Sequence, residues 1–406
     1  MKITIVLSIL LILEVFSGTN LYVKYSGKSN NFNRIQDAVN KAASLKPSGE
    51  GSRVTIHIAP GKYREQVIVN TPYITFVNDE TSKGSVTITW YYGIGYKYFS
   101  ANSKGYYDAN LAKKKSSRYI ASKWGATVQL WNNAKYFKAS NIVFENSFNR
   151  YMTNEEIADG ITLANDRNAS PITFRRASNS DVKSKEATER AAAMTIEAPY
   201  AEFYACKFYS SQDTLYTGAS PAFFRRCLIE GQTDYIFGGA NVVFDLCELR
   251  WKGYSGRAYP GYITAARQGS DSHYTGYLFN KCRVYGSSSN LPTTAGYFGR
   301  PWGATAKVMF INTTLQDKNM IHPDGWGPMS GVQPQNVNGF KEYGTKLKDG
   351  TTVNLSSRKG KKVSAQDAGA INKKNLYFFS IININFIYLS IKISRSPVVH
   401  IILFVN

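Results

Sequence analysis

Cysteine is scarce in this sequence, and its placement argues against a metal centre. The 406 residues include only four cysteines, and no two of them form a CxxC pair: Cys206, Cys227, Cys247 and Cys282. Zinc sites built on cysteine ordinarily use such close pairs, and the sequence shows no cluster of carboxylates suited to calcium. We therefore expect no metal. Four cysteines allow three complete disulfide pairings, and the sequence alone does not choose among them.

Acidic residues are also few. The chain has 28 Asp and Glu against 49 Lys and Arg, which gives a formal net charge of +21. A surface this basic attracts polyanions, so composition leaves nucleic acid, anionic membranes and acidic polysaccharides open. No long block of Lys and Arg occurs, and the densest run, at residues 113–115, favours a solvated loop. Hydrophobic residues make up 43% of the chain, which is typical of a packed globular domain.

Long apolar runs occur only near the two ends. Residues 3–16 follow Lys2 and precede the small residues Ser17 and Gly18, so we predict that residues 1–17 are a signal peptide of a secreted protein. Residues 376–391 are mainly apolar but too short and interrupted for a comfortable membrane span. We therefore predict that residues 371–406 lie outside the fold and that no stable membrane association occurs. Sequons that begin at Asn168, Asn312 and Asn354 predict a glycoprotein.

Helical patterns are rare, and strand patterns dominate. Ile35, Ala38, Val39 and Ala42 recur at helical spacing and predict one amphipathic helix. Short runs rich in β-branched residues follow it, separated by turn residues, at 54–58, 66–69, 74–77 and 86–90. No second long helical stretch precedes residue 370, which excludes an ordinary α/β fold.

A repeated pattern then indicates the architecture. An aromatic residue precedes each cysteine by three positions, in Phe203 to Cys206, Phe224 to Cys227, Phe244 to Cys247 and Phe279 to Cys282. Phe144 to Ser147 and Phe310 to Thr313 fit with a small polar residue in place of cysteine. Repeats of about 20 residues, each mostly strand and turn, predict a solenoid. We predict an all-β, right-handed parallel β-helix over residues 18–370, whose open N-terminal end is capped by the early helix.

The strands are interrupted at residues 90–130 by a stretch rich in tyrosine, including Tyr91, Tyr92 and Tyr98. Such a stretch could form an aromatic wall for sugar rings or a loop that covers the solenoid. The sequence leaves both open.

Two aspartates stand at the repeat distance. Asp213 and Asp234 are 21 residues apart, as are Cys206 and Cys227, so a solenoid places both on one face of adjacent turns. Adjacent strands lie roughly 4.8 Å apart, and two carboxylates this close do not both ionise easily. A protonated acid beside an ionised one suits combined acid–base and nucleophilic chemistry. The alternative is two aspartates that bond turn backbones.

A third segment adds a fixed arginine. Arg300 lies between Gly299 and Pro301, and Trp302 follows. Arginine can bind a carboxylate with two hydrogen bonds and keep it ionised. Trp302 can stack on a sugar or pack in the core.

These motifs together resemble the pectin methylesterase (pectinesterase) family. The matching segments occur in the family's order and the resemblance covers about residues 20–345: Gly61-Lys62-Tyr63-Arg64-Glu65, Gln212-Asp213-Thr214-Leu215, Asp234-Tyr235-Ile236-Phe237-Gly238 and Gly299-Arg300-Pro301-Trp302.

The resemblance implies a parallel β-helix without metal or organic cofactor. It implies that Asp234 is the nucleophile, Asp213 the general acid and base, and Gln212 an oxyanion donor. It further implies that Arg300 orients Asp234 and that Trp302 lines the sugar cleft, with Trp326 as a second cleft tryptophan. The implied partner is pectin in the cell wall, bound by a monomer, and not nucleic acid.

One position departs from the family pattern. The family places a glutamine, a second oxyanion donor, 22 residues before the glutamine of the QDTL motif, where this sequence has Arg190. Arg190 can donate in its place or pair with Asp213. Three functions therefore stay open from the sequence: an active pectin methylesterase, a glycoside hydrolase acting on polygalacturonate, and a pectin-binding homologue without turnover.

Overall fold

The computed structural model describes most of the chain between residues 18 and 369. The described residues are 18–94, 96–100, 108–114, 119–120, 123–148, 150–151, 153–159, 162–163, 190–219, 221–252, 260–269, 275–287, 291–369, 388–389 and 401–402. The predicted signal peptide, the sequon asparagine at 168 and nearly all of the C-terminal segment lie outside them.

The solenoid consists of three parallel sheets, and each complete turn of the chain contributes one strand to each sheet. We name them sheets A, B and C. A strand of sheet A leads to a strand of sheet B, then sheet C, and each pairs in parallel with the equivalent strand one turn earlier. This is the right-handed parallel β-helix that the repeat predicted, because each turn advances the chain by one strand position in every sheet.

Within each sheet the strands follow one another along the axis of the solenoid. Sheet A contains Asn31–Phe32, Thr19–Val23, Val54–Ile58, Ile74–Val77, Lys138–Ser140, Ala201–Tyr204, Ala222–Arg225, Val242–Asp245, Tyr277–Asn280, Lys307–Ile311, Gly339–Tyr343 and Lys361–Lys362. Sheet B contains Gly61–Arg64, Val86–Trp90, Ile142–Asn146, Lys207–Tyr209, Leu228–Gly231, Glu248–Trp251, Arg283–Gly286, Thr314–Leu315 and Lys346–Leu347. Sheet C contains Val67–Val69, Val128–Leu130, Met194–Ile196, Leu215–Thr217, Ile236–Gly238, Gly261–Ala266 and Gly296–Pro301.

Short elements surround the solenoid. Tyr96–Tyr98 pairs antiparallel with Tyr119–Ile120 and Thr162–Leu163, and Tyr388–Leu389 pairs with Ile401–Ile402. α-Helices lie at Ile35–Ser44, Ala109–Lys114 and Asn154–Asp159, and residues 365–369 are also helical. Short 3₁₀ turns lie at Glu50–Ser52, Thr81–Lys83, Lys123–Gly125, Lys318–Met320 and Pro334–Asn336. Among the residues that the structure describes, no helix is long and apolar enough to cross a membrane.

The helix Ile35–Ser44 covers the first turn, as predicted, and buries Ile35, Ala38, Val39 and Ala42. Its N-terminus is capped from a distance. The Glu65 carboxylate accepts hydrogen bonds from the backbone N–H groups of Ile35 at 2.9 Å and Gln36 at 3.1 Å. Glu65 ends one of the motifs that carry the family resemblance, and its place at a helix N-terminus satisfies donors that have no partner inside the helix.

The interior is a ladder of stacked phenylalanines on sheet A. Adjacent ring centroids lie 4.7 Å apart for Phe203 and Phe224, 4.9 Å for Phe224 and Phe244, 4.6 Å for Phe244 and Phe279, and 4.2 Å for Phe279 and Phe310. Phe144 does not belong to this ladder, which corrects its place in the repeat. It lies on sheet B, in register with Phe208. The sequence pattern did not separate the two sheets, because the same aromatic spacing also fits a strand of sheet B.

The cysteines form a second buried column, at the start of the sheet B strands. All four are free thiols in the described structure and are almost fully buried. The thiols of Cys227, Cys247 and Cys282 each lie 3.3–3.4 Å from the backbone carbonyl oxygen of the ladder phenylalanine one turn earlier. None of the three possible disulfide pairings is therefore formed, and the thiols contribute packing and weak hydrogen bonds.

The tyrosine-rich stretch at residues 90–130 covers the solenoid where the structure describes it. Trp90, Tyr91, Tyr92 and Tyr98 are at most 1% exposed and pack edge to face or tilted against one another. Asp159 anchors them by accepting hydrogen bonds from the Tyr91 hydroxyl and the Ser100 side chain. Rings buried in this way offer no face to a sugar, so the covering loop is the correct alternative for these residues.

A left-handed residue precedes each cysteine and turns the chain from sheet A to sheet B. Leu246 occupies this position with φ +54° and is 37% exposed, whereas Asn141 adopts the same conformation three turns earlier in the solenoid, with φ +58°. Left-handed conformations are costly for most L-residues and tolerated by asparagine. We therefore expect Leu246→Asn to stabilise the fold by about 1 kcal/mol.

The midpoint of urea unfolding measures this effect. Asn141→Leu is the reverse exchange at an equivalent turn and is expected to shift the midpoint in the opposite direction. Equal midpoints for Leu246→Asn and the parent protein would mean that the turn stores no strain.

Candidate active site

Two buried aspartates lie side by side between sheets B and C. The register pairs Leu215 with Ile236, and an isolated bridge joins Gln212 to Thr233. Asp213 and Asp234 are therefore opposite each other on neighbouring turns, at a strand spacing of about 4.8 Å. Each is 5% exposed. The structure thus brings together the two carboxylates that the 21-residue spacing predicted.

Both aspartates adopt the left-handed conformation, with φ +62° for Asp213 and +47° for Asp234. Aspartate tolerates this region better than most residues, and non-glycine residues held there are common at functional sites. The turn is fixed by neighbouring strands, since the Asp213 N–H donates to the Thr233 carbonyl at 3.1 Å and the Leu215 N–H to the Tyr235 carbonyl at 2.9 Å. Backbone hydrogen bonds between the two turns therefore fix the positions from which the two carboxyl groups project.

Arg300 binds one of the two carboxylates with a planar fork. Its Nε donates to Oδ1 of Asp234 at 2.8 Å and its Nη2 to Oδ2 at 2.6 Å. Arg300 lies two turns beyond Asp234, and the register partner of Arg300 on the intervening turn, Ala265, is small. Next to Arg300, Gly299 allows its strand to stack closely on the preceding turn, because a Cβ there would lie 1.9 Å from Oγ1 of Thr264.

The surroundings separate the two carboxyl groups electrostatically. Burial raises the pKa of Asp213 well above its ordinary value, and the charge of Asp234 raises it further, against opposing effects of Arg190, Arg300 and a Gln212 hydrogen bond. Burial also raises the pKa of Asp234, but the Arg300 fork opposes that rise directly. A single proton shared by the pair therefore resides on Asp213, and Asp234 carries the charge.

Gln212 directly precedes Asp213 on the same turn, and Arg190 lies beside Gln212 on the preceding turn. Gln212 is 8% exposed, and among the described residues its Oε1 atom has no hydrogen-bond partner. A parallel bridge places Arg190 next to Gln212, and the Arg190 side chain is exposed. Its charge lowers the pKa of Asp213, so it acts on the carboxyl pair although it is not buried with it.

An aromatic shelf extends from the aspartates along sheet C. Tyr216 and Phe237 have ring centroids 5.1 Å apart, and Phe237 and Trp302 6.2 Å apart. The Arg267 guanidinium lies 5.5 Å from the centre of the Trp302 ring. Trp302 is half-buried beside this shelf, and its role in lining a sugar cleft stays a prediction.

Trp326 does not lie in the cleft. It is 0% exposed and stacks on Phe340 with ring centroids 4.2 Å apart, inside the core at the C-terminal end of the solenoid. The structure therefore contradicts the prediction that it is a second cleft tryptophan. A ring packed between core phenylalanines has no face left for a sugar.

Tyr262 is a residue at the site that sequence reasoning missed. Its ring centre lies 4.4 Å from the Arg300 guanidinium carbon and 5.2 Å from the centre of the Tyr297 ring. Neither tyrosine belongs to the motifs singled out in the sequence. The signal that could have found Tyr262 is its place two residues after Pro260, at the start of the strand that lies between Asp234 and Arg300.

Comparison with known proteins gives a consistent family. The family model described as Pectinesterase matches residues 170–378, just over half of the chain. The probable pectinesterase A of Aspergillus fumigatus is 39% identical over 158 residues, which cover 39% of this chain and 45% of that protein. Pectinesterase 1 of Olea europaea is 29% identical over 327 residues, 79% of this chain and 69% of that protein. This chain therefore matches less than half the length of the fungal relative.

Solved structures agree with the fold. The pectin methylesterase of Aspergillus niger is 26% identical with a TM-score of 0.56, and the match covers 86% of this chain and 91% of that one. The pectin methylesterase from carrot is 22% identical with a TM-score of 0.60, and it covers 87% and 91%. At that identity the carrot protein supports the architecture alone.

Proposed function

The chain belongs to the pectinesterase family, and we propose that it hydrolyses galacturonate methyl esters in pectin, releasing methanol and de-esterified pectin. The observation that carries this proposal is the pair of buried carboxyl groups, of which only Asp234 is bound by the Arg300 fork. Such a pair supplies a nucleophile and an acid at the same pH.

The proposed reaction has two steps. Asp234 attacks the ester carbonyl carbon, and Asp213 gives its proton to the departing methoxyl oxygen, so that methanol leaves and an acyl-enzyme remains. Asp213, now ionised, takes a proton from water, which cleaves the acyl bond and restores both carboxyl groups. Gln212 stabilises the oxyanion that forms in each step, and one well-placed donor of this kind contributes about 3–4 kcal/mol. Trp302 holds a neighbouring sugar ring.

We propose that the protein acts outside the cell as a monomer on cell-wall pectin, without cofactor and without nucleic acid as a partner. The net charge of +21 suits a product that gains negative charge with each ester cleaved. Glycosylation at Asn312 or Asn354 remains a prediction, and both side chains are exposed.

One assay tests the reaction against its alternatives. Purified protein is incubated with highly methylated pectin, and methanol and reducing ends are measured together. Methanol without new reducing ends is the expected result. New reducing ends without methanol would instead identify a glycoside hydrolase, since carboxylates about 5 Å apart also suit a retaining mechanism. Binding of pectin oligomers by folded protein, with neither product, would identify a binding protein.

Arg190 provides a prediction about pH. Because its charge lowers the pKa of Asp213, its removal lets Asp213 keep its proton to higher pH. We expect Arg190→Gln to shift the alkaline limb of the pH–rate profile upward and to raise activity at neutral pH.

Arg190→Lys is the matched control, since it keeps the charge and is expected to leave the alkaline limb in place. A lower maximal rate for Arg190→Gln at every pH would mean that Arg190 serves as an oxyanion donor, because charged donors form hydrogen bonds about twice as strong as neutral ones. Superimposable profiles for all three proteins would show that Arg190 does not act on the aspartates.

A further inference from the structure

Tyr262 is the side chain at the candidate site for which neither the motifs nor the proposed reaction gives a role. It lies on the strand Gly261–Ala266, which separates the turn of Asp234 from the turn of Arg300. The Tyr262 backbone N–H donates to the Gln232 carbonyl at 3.0 Å, so the residue is tied to the segment that leads into Asp234.

The Tyr262 ring is itself held on several sides. Tyr297, its register partner on the next turn, stacks on it at 13° between ring planes, and His322 stacks on Tyr297 with centroids 4.6 Å apart. The backbone of Gly327 passes close to the ring edge, since a Cβ there would lie 2.6 Å from Cε1 of Tyr262. A ring packed in this way cannot easily follow a moving side chain, so it is a fixed surface.

The Arg300 guanidinium packs against the Tyr262 ring. Its guanidinium carbon lies 4.4 Å from the centre of the Tyr262 ring while its Nε and Nη2 bind Asp234. A guanidinium over an aromatic ring gains attraction from the ring's electrons, and its long side chain loses freedom to rotate. The Arg300 side chain is 23% exposed, so without the ring it would have open space on that side.

We propose that Tyr262 is a positioning residue, which fixes the plane of the Arg300 guanidinium. The Asp234 carboxylate then stays ionised and oriented toward the ester carbonyl carbon. The inference rests on the proposed esterase function for its effect on rate. The groups that face Asp234 are Asp213 on the preceding turn, Arg300, and Tyr262 itself. Of these, Arg300 lowers the pKa of Asp234, so a loosened Arg300 lets that pKa rise.

The test compares Tyr262→Leu, which removes the ring, with Tyr262→Phe, which keeps it. For Tyr262→Leu we expect kcat to fall about tenfold, as small misplacements at active sites do. We expect KM to change little and the acidic limb of the kcat/KM profile to move to higher pH. Tyr262→Phe is expected to keep the acidic limb in place, with kcat within about threefold of the parent.

Tyr285→Leu is the matched control. Tyr285 carries an arginine, Arg283, at 4.7 Å from its ring centre, but both residues belong to the sheet B strand Arg283–Gly286, whereas the Arg300 fork and Tyr262 lie on sheet C. Loss of this ring is expected to leave the pH profile unchanged.

A double-mutant cycle with Arg300→Lys separates positioning from general packing. Lysine lacks the planar fork, so Tyr262→Leu is expected to have no further effect on the acidic limb in that background. Additive effects, or an unchanged acidic limb in folded Tyr262→Leu, would overturn the proposal. If Tyr262→Leu does not fold, Tyr262→Met preserves more volume without the ring and takes its place.

A readout independent of turnover distinguishes failure of this inference from failure of the proposed function. The carboxyl ¹³C resonance of Asp234, assigned by its loss in Asp234→Asn, reports its titration directly. A higher midpoint in Tyr262→Leu than in the parent is expected even if no ester is hydrolysed. Equal midpoints would contradict the positioning role even in an active enzyme.

Discussion

Asp234→Asn is expected to lower kcat for methanol release by at least about 10³-fold while leaving the fold intact. The change keeps the shape of the side chain and removes the nucleophilic charge, and losses of this size follow removal of a residue that forms the covalent intermediate. The amide also leaves the Arg300 fork without its anionic partner. Initial rates of methanol release from methylated pectin, together with the thermal midpoint of each protein, measure the effect.

Asp245→Asn is the matched control for this substitution. Asp245 is 6% exposed, close to the 5% of Asp234, and lies 3.6 Å from an arginine, but it is on sheet A, away from the candidate site. We expect its exchange to leave kcat within about twofold, because it contacts no group that we assign to the reaction. Substantial activity in Asp234→Asn would show that another residue is the nucleophile.

The solenoid was predictable because its signal is periodic. The cysteine spacing and the aspartate spacing reflect the same turn length, so one repeat predicted both the interior ladder and the neighbouring carboxylates. Phe144 was assigned to the wrong column because aromatic and small residues also recur three apart on sheet B. A repeat found from a few residues predicts turn length better than it predicts sheet membership.

The site was predictable only where it consists of short motifs. Gln212 and Asp213 are adjacent in sequence, and Arg300 is marked by its glycine and proline. Tyr262 carries no such mark, because its contact with Arg300 depends on how two separate turns of the solenoid stack. Trp326 shows the opposite error, since the family resemblance assigned it to the cleft, whereas the chain folds it into the core.

The second large effect is expected at Glu230, which lies on the sheet B strand Leu228–Gly231, directly before Asp234 in the chain. Its carboxylate is 1% exposed and forms ion pairs with Arg150 and Arg250, while the Lys252 Nζ lies 3.7 Å away. The guanidinium carbons of both arginines also lie over the ring of Tyr209, at 5.0 and 5.2 Å from its centre. One buried anion thus contacts three cations, of which Arg150 also pairs with Glu145 at 3.2 Å.

Glu230→Gln is expected to destabilise the fold by about 3 kcal/mol at neutral pH, because removal of the shared partner leaves Arg250 poorly solvated without an anion and Arg150 with Glu145 alone. Burial raises the pKa of Glu230, but Arg150, Lys252 and Arg250 outweigh burial and hold that pKa below its ordinary value. The ion pairs therefore stabilise the fold fully above the unfolded pKa, which is about 4.3, and lose this contribution as pH falls through the lower folded pKa. The difference in stability between the two proteins should shrink in that acidic range.

Unfolding in urea at neutral and acidic pH measures both the size of the effect and its pH dependence. Glu248→Gln is the matched control on the same sheet, since Glu248 pairs with Arg283 at 2.9 Å but the two side chains are 40% and 50% exposed. Exposed pairs contribute about 0–1 kcal/mol, so we expect Glu248→Gln to have a small effect at either pH. If Glu230→Gln were no more destabilising than Glu248→Gln, the desolvation cost of the buried carboxylate would equal its attraction to the three cations. The cluster would then contribute nothing net to stability.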